Sequence, residues 1–177
     1  MAFDRAQKTM DDWPLWVNDA SSQDIMGLYS HALMMVKRHG IKLIVVDYLQ
    51  LVKGRGERNY ERVSDVSNQL RELAKNSGVP VLVVSQLSRA ENREKRTPRI
   101  FDLKESGSIE NDSHVILLPY RPQEKDGRYS GEDLLIVGKM REGQTGVVQA
   151  RFDSLTLTFQ PRGKEDYERY DEAQQSF

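Results

Sequence analysis

Cysteine is absent from the 177-residue chain, which excludes disulfides, thiol nucleophiles and zinc–thiolate sites. No apolar run approaches the roughly 18 residues of a membrane-spanning helix. Residues 1–10 are mixed and polar, unlike a signal peptide. We therefore expect a cytoplasmic protein with no membrane partner. The net charge of −1 gives no overall basic excess, so an argument for nucleic-acid binding must come from local patches.

A phosphate-binding loop is also missing. The pattern G-x-x-x-x-G-K-[ST], whose backbone N–H groups cradle phosphates, occurs nowhere in the chain. The glycines at positions 54 and 56 are too close together, and they follow the wrong element. The chain therefore carries no signature of a self-sufficient nucleotide site.

What is present is the patterning of one α/β domain. Residues 41–46 and 79–84 are continuous aliphatic runs, which are typical of strands buried on both faces. A helical stripe lies between them, and an earlier one spans residues 25–36 and stops at Gly40. Ser21 and Asp24 have the spacing of a capping box at the start of that earlier helix. The stripe between the strands consists of Val63, Val66, Leu70 and Leu73.

Further strands are predicted at residues 115–118 and 134–137, followed by a hairpin from 147–152 and 155–159. Another is predicted at residues 14–18, where Trp13 and Trp16 are expected to pack into the core. The fold class is α/β: a mostly parallel sheet flanked by helices, with a C-terminal antiparallel hairpin. We expect the domain to occupy residues 1–162, with residues 163–177 forming a flexible charged tail.

Polar residues follow the predicted strands, where open parallel sheets bind their ligands. Asp47 follows the first buried strand, Gln86 the second, and Lys139 and Arg141 a later one. An aspartate at such a position suits Mg²⁺, and a glutamine can sense a γ-phosphate or orient a water. Each residue alone is equally well read as an ordinary turn or loop residue.

The order of these segments is more informative than any one of them. DYLQLV stands at residues 47–52, VPVLVVSQLSR at 79–89, DLKESGSIE at 102–110, YR at 120–121 and GKMREG at 138–143. This series resembles the C-terminal motor domain of DnaB-type replicative helicases, from about residue 15 to about residue 159. The resemblance implies a RecA-like fold and a parent protein that uses ATP to translocate on single-stranded DNA and unwind duplex during replication.

The resemblance also implies roles for individual residues. Asp47 matches the Walker B aspartate that helps to hold Mg²⁺, and Gln86 the glutamine that couples the γ-phosphate to the DNA-binding loops. Lys139 and Arg141 match paired basic residues that reach into a neighbouring subunit's site. Arg141 would be the arginine finger, since a guanidinium is planar, always charged and bidentate.

The DNA contacts implied by the resemblance centre on residues 104–107, which include Lys104, Glu105 and Gly107. A glycine lets backbone approach a phosphate, while N–H groups and a cation hold it. The family commonly has arginine at the position of Lys104, so that contact should be less bidentate here. A second basic loop is expected to line the channel of the ring, although its interleaved glutamates also fit a solvated, ion-paired surface. It contributes Arg89, Arg93 and Arg96.

The motor domain of the family opens with a phosphate loop and a strand bearing a catalytic glutamate, and neither is found here. We interpret the chain as a fragment, or as a product that begins in mid-domain, and expect it alone neither to bind ATP tightly nor to hydrolyse it. The resemblance implies a homo-hexamer, with primase and a helicase loader as further partners. Two alternatives stay open: a RecA-type recombinase paralogue, and a non-catalytic ring-assembly module that supplies Arg141.

Overall fold

The described part of the chain contains two long helices with a parallel strand pair, followed by a short helix and an antiparallel sheet. The computed structural model describes residues 10, 13–20, 23–88, 96–103, 105–124 and 126–162. The tail predicted at residues 163–177 lies outside the described residues. Within those ranges, no helix is long and apolar enough to cross a membrane.

The first helix, α1, spans Ile25–His39. Its start is capped by Asp24, whose carboxylate accepts the N–H groups of Met26 at 3.1 Å and Gly27 at 3.0 Å. Its end is marked by Gly40, which has a left-handed φ of 66° that glycine adopts without a Cβ clash. The predicted helix and its stop are confirmed. The predicted capping box of Ser21 and Asp24 is wrong, because Asp24 is itself the N-cap; Ser21 lies outside the described residues.

Strand β1 (Ile44–Val46) and strand β2 (Val81–Val83) lie parallel and are connected through helix α2 (Asn59–Ser77). A short 3₁₀ turn, Leu49–Leu51, follows β1. The helix ends at Gly78, again with φ 66°. This confirms the predicted strand–helix–strand order. Helix α2 buries the predicted stripe of Val63, Val66, Leu70 and Leu73.

The second half of the domain is antiparallel. A short helix α3 (Ser106–Asp112) precedes four strands: β3 (Val115–Tyr120), β4 (Asp133–Met140), β5 (Gly146–Asp153) and β6 (Thr158–Pro161). They form a sheet in this order, and every neighbouring pair is antiparallel. The predicted closing hairpin is confirmed as β5 and β6, but the antiparallel region is larger than expected because β3 and β4 also pair in this way.

One hydrophobic core joins these elements. Ile25 of α1, Val66 and Leu73 of α2 are its most deeply buried large side chains. Val46 of β1 and Ile116 of β3 belong to the same cluster, so the parallel pair and the antiparallel sheet share a core. Burial of these side chains is the main stabilising contribution, at about 1.5–3 kcal/mol for each large aliphatic group.

Two predictions about the apolar runs are wrong. The parallel strands are buried on one face only: Val45 is 55% exposed and Leu82 53%. Residues 14–18 form no strand, since no backbone ladder reaches them in the described part of the chain. Trp13 and Trp16 are 55% and 44% exposed rather than packed in the core. Apolar periodicity records a tendency toward burial, and here the described residues do not supply the covering layer.

Candidate functional site

Asp47 and Gln86 lie at the same edge of the parallel pair. Asp47 directly follows β1, and Gln86 lies three residues beyond the end of β2. Both side chains are exposed. Among the described residues, neither has a side-chain hydrogen bond or an ion pair. Two polar side chains at adjacent carboxyl ends of parallel strands, both open to solvent, are available to an incoming ligand.

A third residue at this edge, Gln50, was not identified from the sequence. Its Nε2 donates to the Ser85 hydroxyl oxygen at 3.0 Å, and its Oε1 accepts the backbone N–H of Gln86 at 3.2 Å. The backbone N–H of Leu49 also donates to the carbonyl of Val84 at 2.9 Å. The turn after β1 is therefore fastened to the end of β2. We call the two side-chain bonds of Gln50 the Gln50 bridge.

Lys139 and Arg141 lie at the end of β4, where both contact the last turn of α3. The Lys139 ammonium donates to the carbonyl of Glu110, and Arg141 Nη2 donates to the carbonyl of Asn111 at 3.2 Å. Both carbonyls belong to the last turn of α3, where cations also complement the helix dipole. In the part of the chain that the structure describes, neither residue contacts Asp47 or Gln86 through a hydrogen bond or ion pair.

The predicted DNA segment lies at the start of α3. Glu105 is half-buried and adopts a left-handed backbone, with φ 64°. Gly107 is exposed, and a Cβ built on it meets nothing within 4 Å. The fold therefore does not require glycine at this position, although glycine weakens a helix. Lys104, Arg89 and Arg93 lie outside the described residues.

Arg96 has a partner that the sequence did not indicate. Its guanidinium forms two hydrogen bonds with the Asp102 carboxylate, at 2.8 and 2.6 Å. Asp102 is only 3% exposed, and it also accepts the backbone N–H of Arg99 at 2.8 Å. Hydrogen bonding to Asp102 raises the pKa of Arg96. Arg96 therefore links residue 96 to residue 102 within the same segment. A DNA contact by Arg96 stays a prediction.

A second buried carboxylate, Asp133, organises the antiparallel sheet. It is 3% exposed, accepts the Phe152 N–H at 2.7 Å, and pairs with Arg121 at 3.4 Å. The Arg121 guanidinium lies 3.8 Å from the ring centroids of both Tyr129 and Phe152. This arrangement satisfies the charge of Arg121 inside the chain, which is a structural role.

No three His, Asp or Glu side chains come together as a metal site within the described ranges. Asp47 could contribute one carboxylate ligand to a divalent cation at this edge. This is how Mg²⁺ is commonly held, through one or two carboxylates and the phosphates of a nucleotide.

Comparison with known proteins identifies relatives over most of the chain. A family model described as the DnaB-like helicase C terminal domain matches residues 1–161. The replicative DNA helicase DnaB of Leifsonia xyli subsp. xyli is 37% identical over 155 residues, which cover 85% of this chain and 34% of that protein. The chain therefore spans about a third of the length of this curated relative.

Solved structures agree with the fold. One is a DnaB-like replicative helicase described together with its interactions with primase. The match covers 90% of this chain and 40% of the helicase chain, with a TM-score of 0.79 and 25% sequence identity. The ATPase domain of G40P matches at the same TM-score and identity, over 90% of this chain and 59% of its own. The predicted RecA-like α/β class is confirmed by these neighbours.

Proposed function

Because the chain belongs to the DnaB-like helicase C-terminal domain family, we propose that it works as part of an ATP-dependent replicative DNA helicase. The intact protein would translocate on single-stranded DNA as a homo-hexamer and unwind the duplex during replication. Residues 1–162 would belong to the motor domain, and residues 163–177 would form its tail. The observation that carries this proposal is the pair of open side chains, Asp47 and Gln86, at one strand edge.

The nucleotide side of the site consists of Asp47 and Gln86. Asp47 would hold Mg²⁺ opposite the phosphates of ATP, and Gln86 would contact the γ-phosphate or the attacking water. The Gln50 bridge supports this assignment, because it holds the two strand ends in one register through a residue bound to both Ser85 and Gln86. The Gln50 bridge would therefore keep the backbone that carries Asp47 and the backbone that carries Gln86 at a fixed distance from each other.

Lys139 and Arg141 would act on a neighbouring subunit's nucleotide. Their position supports this assignment: they are exposed or half-exposed at the end of β4, and their printed hydrogen bonds go to α3. Their present partners are neutral carbonyls of α3. A phosphate is a stronger partner for a cation than a neutral carbonyl, since its negative charge adds a coulombic attraction that the carbonyl lacks. The exchange would therefore be favourable when a neighbour presents ATP.

DNA would be contacted by residues 104–107, with Lys104 as the cation, Glu105 setting the turn and Gly107 leaving room for a phosphate. Arg89 and Arg93 would add backbone contacts without sequence preference. Arg96 has less freedom to do so, because its guanidinium is bonded to Asp102. We keep Arg96 as a proposed DNA contact, made alongside its bonds to Asp102.

Primase and a helicase loader are proposed partners of the intact protein, which we place in the cytoplasm. The primase proposal is supported by the solved relative, a DnaB-like replicative helicase described together with its interactions with primase. No residue of this chain is assigned to either contact.

The proposal can be tested in a complete ring. A chimera would carry this chain in place of the matched stretch of the Leifsonia xyli DnaB, and ATP hydrolysis and strand separation would be measured. We expect Asp47→Ala, Gln86→Ala and Arg141→Ala each to lower turnover by about 10²-fold or more. Arg151→Ala, at an exposed arginine of β5, is the matched control and should retain activity.

The proposed role of Arg141 as an arginine finger can be tested separately, by mixing two variants of the chimeric subunit in one ring. Mixed rings of Asp47→Ala and Arg141→Ala subunits should recover activity, because some interfaces then combine an intact Asp47 with a neighbour's intact Arg141. No recovery on mixing would show that Arg141 acts within its own subunit or not at all.

A further inference from the structure

Phe101 is the most exposed aromatic residue in the described part of the chain, at 62%. It lies in the middle of the 3₁₀ turn Ile100–Asp102. Its neighbours in that turn face inward, since Ile100 packs against the core and Asp102 is 3% exposed. A single exposed apolar side chain is ordinary in a folded protein, so a function for Phe101 depends on what surrounds its ring.

Two arginine side chains lie over the Phe101 ring. The guanidinium carbon of Arg96 is 5.1 Å from the ring centroid, and that of Arg99 is 5.9 Å from it. Both distances exceed the 3.8 Å that separates the Arg121 guanidinium from the Tyr129 ring centroid. The two cations at Phe101 therefore lie near the ring without packing as closely on it, and the ring stays open to solvent.

The turn that carries Phe101 is fastened to the segment that follows β2. The Asp102 carbonyl accepts the backbone N–H of Ser88 at 2.7 Å and the Ser88 hydroxyl at 2.9 Å. Leu103 forms an antiparallel bridge with Leu87. A ring on an anchored turn has little conformational freedom to lose when a ligand binds, and this favours affinity.

The same turn leads into the proposed DNA segment. Phe101 precedes Lys104 by three residues, which is at most about 11 Å of extended chain. The Arg99 guanidinium forms no ion pair among the described residues, so its charge is available to a phosphate. The carboxylate of Asp102 is buried and paired with Arg96. Surfaces that bind single-stranded nucleic acid combine these features, because aromatic rings stack on bases while cations track the phosphates.

We propose that Phe101 is a stacking platform for a base of single-stranded DNA. The inference rests on the proposed function, because residues 104–107 would hold the strand through its phosphates, and it adds a contact to a base. Every base has a π face, so stacking on a phenyl ring strengthens binding without selecting a sequence.

The test compares two single strands of equal length, oligothymidylate and a strand that is abasic throughout, which share their phosphates and differ in their bases. We expect the unmodified chain to bind oligothymidylate more tightly by about fivefold or more. Phe101→Leu keeps an apolar side chain but removes the ring, so it should lose about fivefold or more for oligothymidylate and nothing for the abasic strand. Tyr129→Leu, at another exposed ring beneath an arginine, is the matched control and should lose neither.

Two further measurements separate stacking from a structural role. Phe101→Trp should retain the tighter binding, and oligothymidylate, but not the abasic strand, should quench more of its fluorescence than in the unmodified chain, whose tryptophans are Trp13 and Trp16. Phe101 carries no charge, so Phe101→Leu should leave the salt dependence of binding unchanged, whereas Lys104→Ala should make it shallower. Phe101 is exposed, so its variants should keep the circular dichroism spectrum and the denaturation midpoint of the unmodified chain.

Equal affinity of the unmodified chain for the two strands would overturn the stacking contact and leave the phosphate contacts at residues 104–107 standing. An equal loss for both strands in Phe101→Leu would also overturn it, because the ring would then only support the segment. If the unmodified chain binds neither strand, this inference and the proposed DNA contact fail together, so the two failures give different results.

Discussion

The side-chain amide of Gln50 donates a 3.0 Å hydrogen bond to the hydroxyl oxygen of Ser85, a residue 35 positions further along the chain. Together with the bond from the Gln86 N–H to Gln50 Oε1 at 3.2 Å, it joins the turn after β1 to the end of β2. Since Asp47 and Gln86 flank this contact in sequence, the relative position of the two candidate nucleotide residues depends on it.

Removal of the Gln50 bridge should cost stability. Gln50→Ala leaves the half-buried Ser85 hydroxyl and the Gln86 N–H without their partner, so we expect about 1–2 kcal/mol less free energy of unfolding in urea titrations. Ser85→Ala should cost less, and the double variant should cost less than the sum. Gln144→Ala, at an exposed glutamine in the β4–β5 turn, should be neutral. Strict additivity of the two single changes would contradict a direct contact.

Arg121 should contribute more to the free energy of unfolding than an exposed arginine does. Arg121→Ala removes the ion-pair partner of Asp133, which is 3% exposed, and removes the cation that packs against two aromatic rings. We expect a loss of about 2–4 kcal/mol in the free energy of unfolding. Arg128, whose side chain is 84% exposed in its ion pair with Asp126, is the matched control. Arg128→Ala should leave the midpoint almost unchanged, and equal effects would refute the structural role of Arg121.

The start of α2 should weaken in acid. Backbone N–H groups of Arg58 and Glu57 donate to the Glu61 carboxylate and lower its pKa from the ordinary 4.5. Because the folded-state pKa is the lower one, the stabilisation is fully present above 4.5 and is lost as pH falls through the lowered value. The difference in denaturation midpoint between the unmodified chain and Glu61→Gln should therefore shrink below pH 4.5. A difference that does not change with pH for Glu61→Gln would count against this assignment.

Substitution by alanine should change stability in opposite directions at two glycines, Gly107 and Gly54. At Gly107 a Cβ meets nothing within 4 Å, so Gly107→Ala should raise stability by about 0.5–1 kcal/mol through helix propensity. At Gly54 a Cβ would lie 2.3 Å from the Arg62 carbonyl, so Gly54→Ala should cost about 1–3 kcal/mol. If Gly107 faces DNA, the stabilised variant should nonetheless bind single-stranded DNA more weakly. Unchanged DNA affinity would remove Gly107 from the proposed contact.

The helices and the closing hairpin could be predicted because their signals are local. Asp24 and Gly40 bound α1, the stripe through Leu70 marks the buried side of α2, and two short apolar runs mark the hairpin of β5 and β6. The candidate residues Asp47 and Gln86 could be located because they follow recognisable apolar strands, and the proposed roles come from the resemblance.

The remaining features depend on contacts between distant segments. Nothing in the local sequence links Gln50 to Ser85 or Arg121 to Asp133, because these pairs form only once strands are registered. The burial of both strand faces was wrongly expected for a related reason. An aliphatic run around Val45 reports that the strand favours burial, but it does not report whether the covering layer is present.

The most direct test of the account is the binding of single-stranded DNA by this chain at low and moderate salt, with Lys104→Ala beside the unmodified protein. We predict binding that weakens steeply with salt, because cations on the protein displace counterions from the phosphates, and a shallower salt dependence for Lys104→Ala. Arg151→Ala serves as the control for loss of a surface charge. Binding that is indifferent to salt, or that Lys104→Ala and Arg151→Ala weaken equally, would contradict the placement of the DNA contact at residues 104–107.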